Sequence, residues 1–222
     1  GLAGSSAIVQ ENDTSVVFSV SLRTPIAFAD ITLVADTGAE TVVRDALTVL
    51  SPGSVTSFTP LSGRLGTRVT ISGTQLRGGS PLPVDTVLLA GVPAVLVAES
   101  DTAAVVRAST GAESTTGPIT VVGAEGSIVT SSTNFTYLAA GAIAQARPGF
   151  GQFKTIVTLG GADLLGGGTG IVNVTLGGVH SADSIVASNN TAVTFVAPRL
   201  APGTYSVELT ADSGAQVSAP AV

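Results

Sequence analysis

The chain repeats itself at a spacing of 88 residues. Residues 57–76 (SFTPLSGRLGTRVTISGTQL) align without a gap on residues 145–164 (QARPGFGQFKTIVTLGGADL). In that alignment Pro60 matches Pro148, and Leu76 matches Leu164. A fixed internal period is typical of tandem structural units. The repeat therefore predicts an array of similar modules before any residue is assigned a chemical role.

The second half of the repeat occurs three times. One shared pattern covers residues 12–18, 100–106 and 189–195, and a second begins at Ile31, Ile119 and Tyr205. The first fifty residues match only this second half. We therefore predict the C-terminal part of a module over residues 1–50, and complete modules over residues 51–138 and 139–222.

Apolar and polar residues alternate with a period of two, which indicates half-buried antiparallel strands. Val69 and Ile71 are expected to face inward, opposite Arg68 and Thr70. The other positions expected to face inward are Val172, Val174, Leu176, Tyr205, Val207 and Leu209. The predicted core residues are Phe58, Val69, Ile71, Leu76, Leu88, Phe135 and Tyr137. Short strands separated by Gly and Pro turns predict an all-β chain built from sandwiches.

The predicted modules are joined by links of only a few residues, at 50–53 and 138–141. Short links restrict relative motion, so we expect the modules to be arranged end to end as a semi-rigid rod. The first fifty residues lack the opening strands of a module and are expected to expose sheet edges and an apolar face. Either an upstream segment or another chain would complete that half-module.

Composition excludes several classes of function. Only 11% of the residues are charged and the net charge is −6, so there is no basic patch of the kind that nucleic acid requires. No apolar run approaches the roughly 18 residues of a membrane span, so direct membrane insertion is not expected. Cysteine is absent. A disulfide framework is therefore excluded, and an extracellular protein would be stabilised by core burial alone.

The middle module resembles the IPT/TIG family of immunoglobulin-like domains. The resemblance lies in TSFTP (56–60), GTRVTISGTQL (66–76), GVPA (91–94) and NFTY (134–137). The last module keeps Pro148, residues 155–164 and Gly178-Val179 of the pattern, and residues 1–50 resemble its second half, so the resemblance covers essentially the whole chain. It implies immunoglobulin-like sandwiches. It also implies the settings of such domains: surface receptors, adhesive repeat proteins, polysaccharide-active enzymes and Rel-like transcription factors. The last setting is disfavoured because the DNA-contacting basic loops have no counterpart here.

Residues suited to catalysis are few. His180 is the single histidine, and its neighbours Ser181 and Asp183 are too close in sequence to form a triad, so we interpret it as a surface-loop residue. Asp36, Glu125 and Asp212 occupy equivalent turns, where carboxylates accept backbone N–H bonds; an interdomain calcium site is the alternative. We predict no enzyme activity and no cofactor.

Asn-x-Thr is the sharpest chemical signal in the sequence. Four of the five asparagines begin this sequon, although serine and threonine make up only about a quarter of the chain. We predict N-glycosylation at Asn12, Asn134, Asn173 and Asn189, with Asn134 and Asn173 on outward strand faces. The alternative is that asparagine favours turns and threonine favours strands, which raises their co-occurrence.

Together these features favour a non-enzymatic structural repeat segment of a glycosylated extracellular fibre, filament or adhesive stalk on a cell surface. The expected partners are further modules of the same chain, identical chains in a filament, and covalent N-glycans. The alternative is a ligand-binding module of a surface receptor or adhesin, or an accessory domain of a polysaccharide-active enzyme. The absence of tryptophan and the inward placement expected for Tyr137 and Tyr205 weaken that alternative, because sugars stack on exposed aromatic faces.

Overall fold

A computed structural model describes residues 7–12, 14–19, 26–111 and 113–220 of the chain. The described residues form strands, turns and loops, and none of them is helical. The chain is all-β, as the alternation predicts. It divides into one unit over Gly1–Pro52 and a second over Gly53–Val222.

The first unit contains two antiparallel hairpins. Their strands are β1 (Ala7–Asn12), β2 (Ser15–Ser19), β3 (Ile26–Val34) and β4 (Glu40–Val49), with β1 paired to β2 and β3 to β4. No described residue of these strands is buried, and apolar side chains such as Phe28 (68% exposed) and Val9 (69% exposed) face solvent. An uncovered apolar face is what a half-module predicts.

The second unit begins with a sandwich over residues 54–137. One layer has the order β10-β11-β7-β5 and the other β13-β12-β8-β9. Its strands are β5 (Ser54–Thr59), β6 (Ser62–Gly63), β7 (Arg68–Thr74), β8 (Val84–Leu89), β9 (Val92–Pro93), β10 (Val95–Glu99), β11 (Ala103–Arg107), β12 (Thr116–Gly123) and β13 (Ile128–Tyr137). The layers meet at the edge, where β13 pairs in parallel with β5 and β6.

A second sandwich follows over residues 142–219 and has the same plan. Its layers have the orders β14-β15-β19-β18 and β17-β16-β20-β21. Its strands are β14 (Ala142–Arg147), β15 (Ile156–Ala162), β16 (Ile171–Leu176), β17 (His180–Ser181), β18 (Ser184–Ser188), β19 (Ala192–Val196), β20 (Val207–Ala211) and β21 (Gln216–Ala219). Pro60 and Pro148, which match in the repeat, both follow cis peptide bonds.

Each sandwich has its own hydrophobic core. The first contains six of the seven predicted core residues, namely Phe58, Val69, Ile71, Leu76, Phe135 and Tyr137. The second contains Leu159, Leu164, Val174, Phe195 and Leu209 among others. Burying an apolar side chain contributes about 1.5–3 kcal/mol. The two cores are therefore the main source of stability in the second unit.

Two inward assignments are wrong for the same reason. Leu88 is only half-buried, while Val87 and Leu89 lie in the core, and Val172 is 61% exposed while Ile171 is buried. The pairing register shifts between Val122 and Gly123 opposite β8, and between Ile171 and Asn173 in β16. A β-bulge adds one residue to a strand, so strict alternation predicts the wrong face on one side of it.

The hydroxyl groups of the two tyrosines differ in their hydrogen bonding. Tyr205 is half-buried against the second core, and its hydroxyl donates to the Ala201 carbonyl at 2.9 Å. Tyr137 is 1% exposed and packs edge-on against Phe135, with ring centroids 5.3 Å apart. Within the described residues the Tyr137 hydroxyl has no hydrogen-bond partner, and burial raises its pKa.

These contacts predict opposite effects for the same substitution. Tyr205→Phe is expected to cost about 1 kcal/mol of unfolding free energy, because a hydrogen bond is lost. Tyr137→Phe is expected to be neutral or to stabilise by about 1 kcal/mol, because an unsatisfied buried hydroxyl is removed. Urea titration of the two variants measures both effects. Equal destabilisation by both would contradict the contacts described for them.

Candidate functional site

The two sandwiches meet at a junction that backbone groups hold together. The Arg68 amide donates to the Ser213 carbonyl at 2.9 Å, and the Gln216 amide donates to the Leu65 carbonyl at 2.9 Å. Between these bonds, Gly66 faces the turn at Gly214; a Cβ on Gly66 would lie 2.5 Å from the Gly214 oxygen. Both glycines have a φ of +84°. This close approach therefore requires residues without side chains.

Arg64 crosses the junction as a buried cation. It is 4% exposed, and its Nη1 and Nη2 donate to the carbonyl oxygens of Asp163 and Leu164, the second at 3.1 Å. A Cβ on Gly141 or Gly166 would lie 2.4 Å from the guanidinium, so these two glycines form its slot. Hydrogen bonds to a charged group contribute about 1.5–3 kcal/mol each.

The electrostatics of Arg64 have opposing contributions. Burial lowers the pKa of the guanidinium, and the nearby Asp163 charge acts in the opposite direction. The Nε atom has no hydrogen-bond partner among the described residues. Separating a buried cation from its hydrogen-bond acceptors costs free energy, and the guanidinium already lacks one partner. The stability of the buried Arg64 therefore depends on the relative position of the two sandwiches.

Sequence reasoning missed this junction. In the sequence, the junction is marked only by a difference between the two repeats: Arg64 and Gly66 align with Gln152 and Lys154. Such a difference reads as ordinary surface variation until the structure places these residues against a neighbouring module. The short link itself was noticed, but the link does not indicate which side chains fill the space beside it.

Asn12 and Asn189 occupy equivalent turns. The Asn12 Oδ1 accepts hydrogen bonds from the Thr14 amide and hydroxyl, both at 2.9 Å, and the Asn189 Oδ1 does the same with Thr191 at 2.9 and 3.0 Å. Ser100 supports the matching turn of the middle sandwich by accepting from the Thr102 and Ala103 amides. These two asparagines are thus turn formers, and their exposed amide nitrogens are the atoms to which a sugar would attach.

Asn134 and Asn173 lie on strands, on the faces opposite the core as expected. Asn134 is exposed on β13 beside the buried Phe135, and in the described part of the chain its side chain makes no hydrogen bond. Asn173 is half-buried on β16, and its Nδ2 donates to the Thr175 hydroxyl at 3.0 Å. Asn134 is therefore the more accessible acceptor of the two.

The other candidates offer little chemistry. The Asp212 carboxylate accepts bonds from the Thr169 hydroxyl and amide, and the hydroxyl contact is the main reason that the pKa of Asp212 is lowered. The described ranges contain no group of three or more acidic, histidine or cysteine side chains placed to hold a metal ion. His180 was predicted to lie in a loop, and this is wrong, because it begins the short strand β17 (His180–Ser181); its side chain lies outside the described part. No helix in the described ranges is long and apolar enough to cross a membrane.

A family model described as the IPT/TIG domain matches residues 54–137 and 144–222. The chain belongs to the IPT/TIG domain family. The resemblance is confirmed for the middle and last modules, and for residues 1–50 it stays a prediction. IPT/TIG domains are non-catalytic immunoglobulin-like modules. No relative was found among curated proteins.

Several solved structures are similar to parts of the chain. The extracellular region of plexin A4 is 18% identical over 75% of this chain, with a TM-score of 0.48, and the chain spans 15% of that plexin. A surface glycan-binding protein from Prevotella bryantii is 15% identical over 78% of the chain and 42% of its own length, with a TM-score of 0.32. The titin I9–I11 tandem is 12% identical over 97% of the chain and 80% of its own length, with a TM-score of 0.33. At these similarities the neighbours carry no argument about this chain.

Proposed function

We propose that this chain is a non-enzymatic structural segment of a glycosylated extracellular fibre, filament or adhesive stalk. The observation that carries the proposal is the junction between the two IPT/TIG modules. Backbone hydrogen bonds, the glycine contact and the buried Arg64 hold neighbouring modules in one arrangement. A repeat array transmits force or maintains length only if its joints resist bending, and this joint has the contacts to do so.

The weakly charged surface supports the glycosylated part of the proposal. With 11% charged residues the chain has little charge with which to remain soluble. Hydrophilic sugars at Asn12, Asn134, Asn173 and Asn189 would supply that solubility. Three of the four asparagines are exposed, and Asn173 is half-buried.

The sequons predict a defined change in mass. Produced in a host that glycosylates Asn-x-Thr, the protein is expected to exceed its polypeptide mass of 21.7 kDa and to lose the excess on glycosidase treatment. Intact-mass spectrometry measures both. Asn134→Gln is expected to remove one glycan, because its side chain is exposed and makes no hydrogen bond in the described part of the chain.

A matched control separates the sequon from the residue type. Asn190→Gln changes an adjacent asparagine that begins no sequon, so its glycan mass is expected to equal that of the wild type, whereas Asn189→Gln is expected to lose one glycan. An unmodified mass of the wild type would contradict glycosylation while leaving the structural role of the junction intact.

A further inference from the structure

The side-chain amide of Asn189 is bonded through its oxygen and not through its nitrogen. Its Oδ1 accepts hydrogen bonds from the Thr191 amide at 2.9 Å, the Thr191 hydroxyl at 3.0 Å and the Ala192 amide at 2.8 Å. Within the described residues its Nδ2 donates no hydrogen bond, and Asn189 is exposed with the middle module in place. The turn therefore fixes the oxygen and leaves accessible the nitrogen that would receive a sugar.

Asn134 and Asn173 have different side-chain contacts. The Asn173 Nδ2 donates to the Thr175 hydroxyl at 3.0 Å, so here the nitrogen rather than the oxygen is engaged. Beside Asn134 the threonine of the sequon is bonded elsewhere, because the Thr136 and Thr116 hydroxyls share a hydrogen bond at 3.0 Å. In the part of the chain that the structure describes, no donor reaches the Oδ1 of either asparagine.

The backbone of these sequons also differs. Residues 134–136 lie on β13, which pairs with β12 and with β6. Asn173 lies on β16, between β17 and β20. Residues 189–191 form the turn between β18 and β19, outside both strands. An enzyme that must hold the chain around its target can therefore reach residues 189–191 in the folded protein, whereas the backbone of the paired strands is already engaged.

The three bonds to the Asn189 oxygen favour the chemistry of sugar transfer. An amide nitrogen is a weak nucleophile because resonance delocalises its lone pair onto the oxygen. As the Nδ2 loses a proton, negative charge develops on the Oδ1, and donors already directed at that atom stabilise the charge. The Nδ2 forms a bond to C1 of the sugar, and the bond from C1 to the diphosphate of a lipid-linked donor breaks. The lipid diphosphate leaves with the electron pair, and a base of the transferase takes the proton.

We propose that Asn189 accepts its sugar in the folded protein, whereas Asn134 and Asn173 accept theirs only before their strands pair. The proposal rests on the glycosylation proposed above and adds an order to it. Asn12, whose Oδ1 is bonded to the Thr14 amide and hydroxyl in the same way, belongs to the same class as Asn189. The strand sequons are therefore modified only while the chain is being made, and the turn sequons can also be modified afterwards.

Sugar transfer to protein that has already folded tests this order. The full chain is made without glycosylation, folded, and incubated with a purified oligosaccharyltransferase that recognises Asn-x-Thr and with its lipid-linked oligosaccharide. Mass spectrometry of proteolytic fragments gives the initial rate at each sequon. Synthetic peptides covering residues 130–138, 169–177 and 185–193 give the rates without the fold. We expect Asn189 in the folded chain to match or exceed its peptide, and Asn134 and Asn173 to be slower than theirs by about tenfold or more.

Ser100→Asn transfers the turn arrangement to the middle module. Ser100 stands where Asn189 stands in the last module, and its Oγ accepts from the Thr102 and Ala103 amides. The substitution creates the sequon Asn-Asp-Thr in that turn. The variant is expected to gain one sugar at this position in the folded protein. Asn134 in the same module is the matched control, and its rate is expected to stay low.

Unfolding the middle module provides the reverse test. Phe58 belongs to the core of that module and lies outside its sequon. Phe58→Ala is used once loss of hydrogen-exchange protection across residues 54–137 has been observed. Modification of Asn134 is then expected to rise to the rate of its peptide, while the rate at Asn173 in the last module stays unchanged.

Two results would overturn the proposal. One is that Asn134, Asn173 and Asn189 in the folded chain react at equal rates relative to their peptides. The other is that Asn189 in the folded chain is unmodified while its peptide is modified. Both leave the proposed function intact, because sugar added during synthesis does not depend on them. An unmodified protein from a glycosylating host contradicts that function instead, and the transfer rates at the folded chain are still measured.

Discussion

Gly66→Ala is expected to open the junction between the two IPT/TIG modules. The new Cβ would lie 2.5 Å from the Gly214 oxygen and 3.0 Å from the Gln216 Cγ, on a backbone with a φ of +84°. The left-handed conformation costs about 1–2 kcal/mol with a side chain. The overlap adds about 1–3 kcal/mol, because the turn must move away. The modules would remain folded around their separate cores but lose their fixed arrangement.

Gly126→Ala is the matched control for that substitution. Gly126 has a φ of +83° in the turn of the middle module that matches the Gly214 turn, and a Cβ there meets nothing within 4 Å. Both variants bear the same backbone strain, and only Gly66→Ala creates the overlap. The difference between them therefore isolates the junction.

Hydrogen exchange at two amides reports the result directly. Arg68 and Gln216 donate across the junction, so their exchange rates follow its opening. We expect them to exchange about 30-fold faster in Gly66→Ala, which corresponds to about 2 kcal/mol, and to be unchanged in Gly126→Ala. Unchanged protection in both variants would show that the glycine contact does not hold the modules together.

The architecture was predictable because it depends on patterns that every module repeats. Alternating apolar residues such as Val69 and Ile71 must face one core. The same alternation recurs 88 residues later, and a pattern that occurs twice at a fixed spacing rarely arises by chance. The faces of Leu88 and Val172 were not predictable from alternation. A bulge is one extra residue in a strand, and nothing in the local alternation marks where it falls.

The junction was unpredictable for a different physical reason. Arg64 is polar and its neighbours are glycines, which is also the composition of an exposed turn. Its burial results from the position of Gly141 and Gly166 in the next module, a long-range arrangement that no local pattern encodes. The exposed Phe150 is the reverse case, since an aromatic residue in a strand-rich chain is normally assigned to a core.

Phe135→Ala is expected to unfold the middle module selectively. Phe135 is fully buried and packs edge-on against Tyr137, so its truncation is expected to cost about 3–5 kcal/mol. That loss is comparable to the whole stability of a small domain. The last module should stay folded, because Leu159, Val193 and Phe195 belong to a separate core.

Asn134→Ala is the control, tested in protein made without glycosylation. The Asn134 side chain lies on the solvent face of the same strand, so its removal should change the free energy of unfolding by no more than about 0.5 kcal/mol. Segment-resolved hydrogen exchange distinguishes the outcomes: in Phe135→Ala, protection should fall across residues 54–137 and persist across residues 156–219. Equal loss in both segments would mean that the junction couples the two cores into one cooperative unit. Arg64 and the backbone bonds beside it would then contribute to folding as well as to stiffness, and an array of such modules would resist unfolding as a whole rather than module by module.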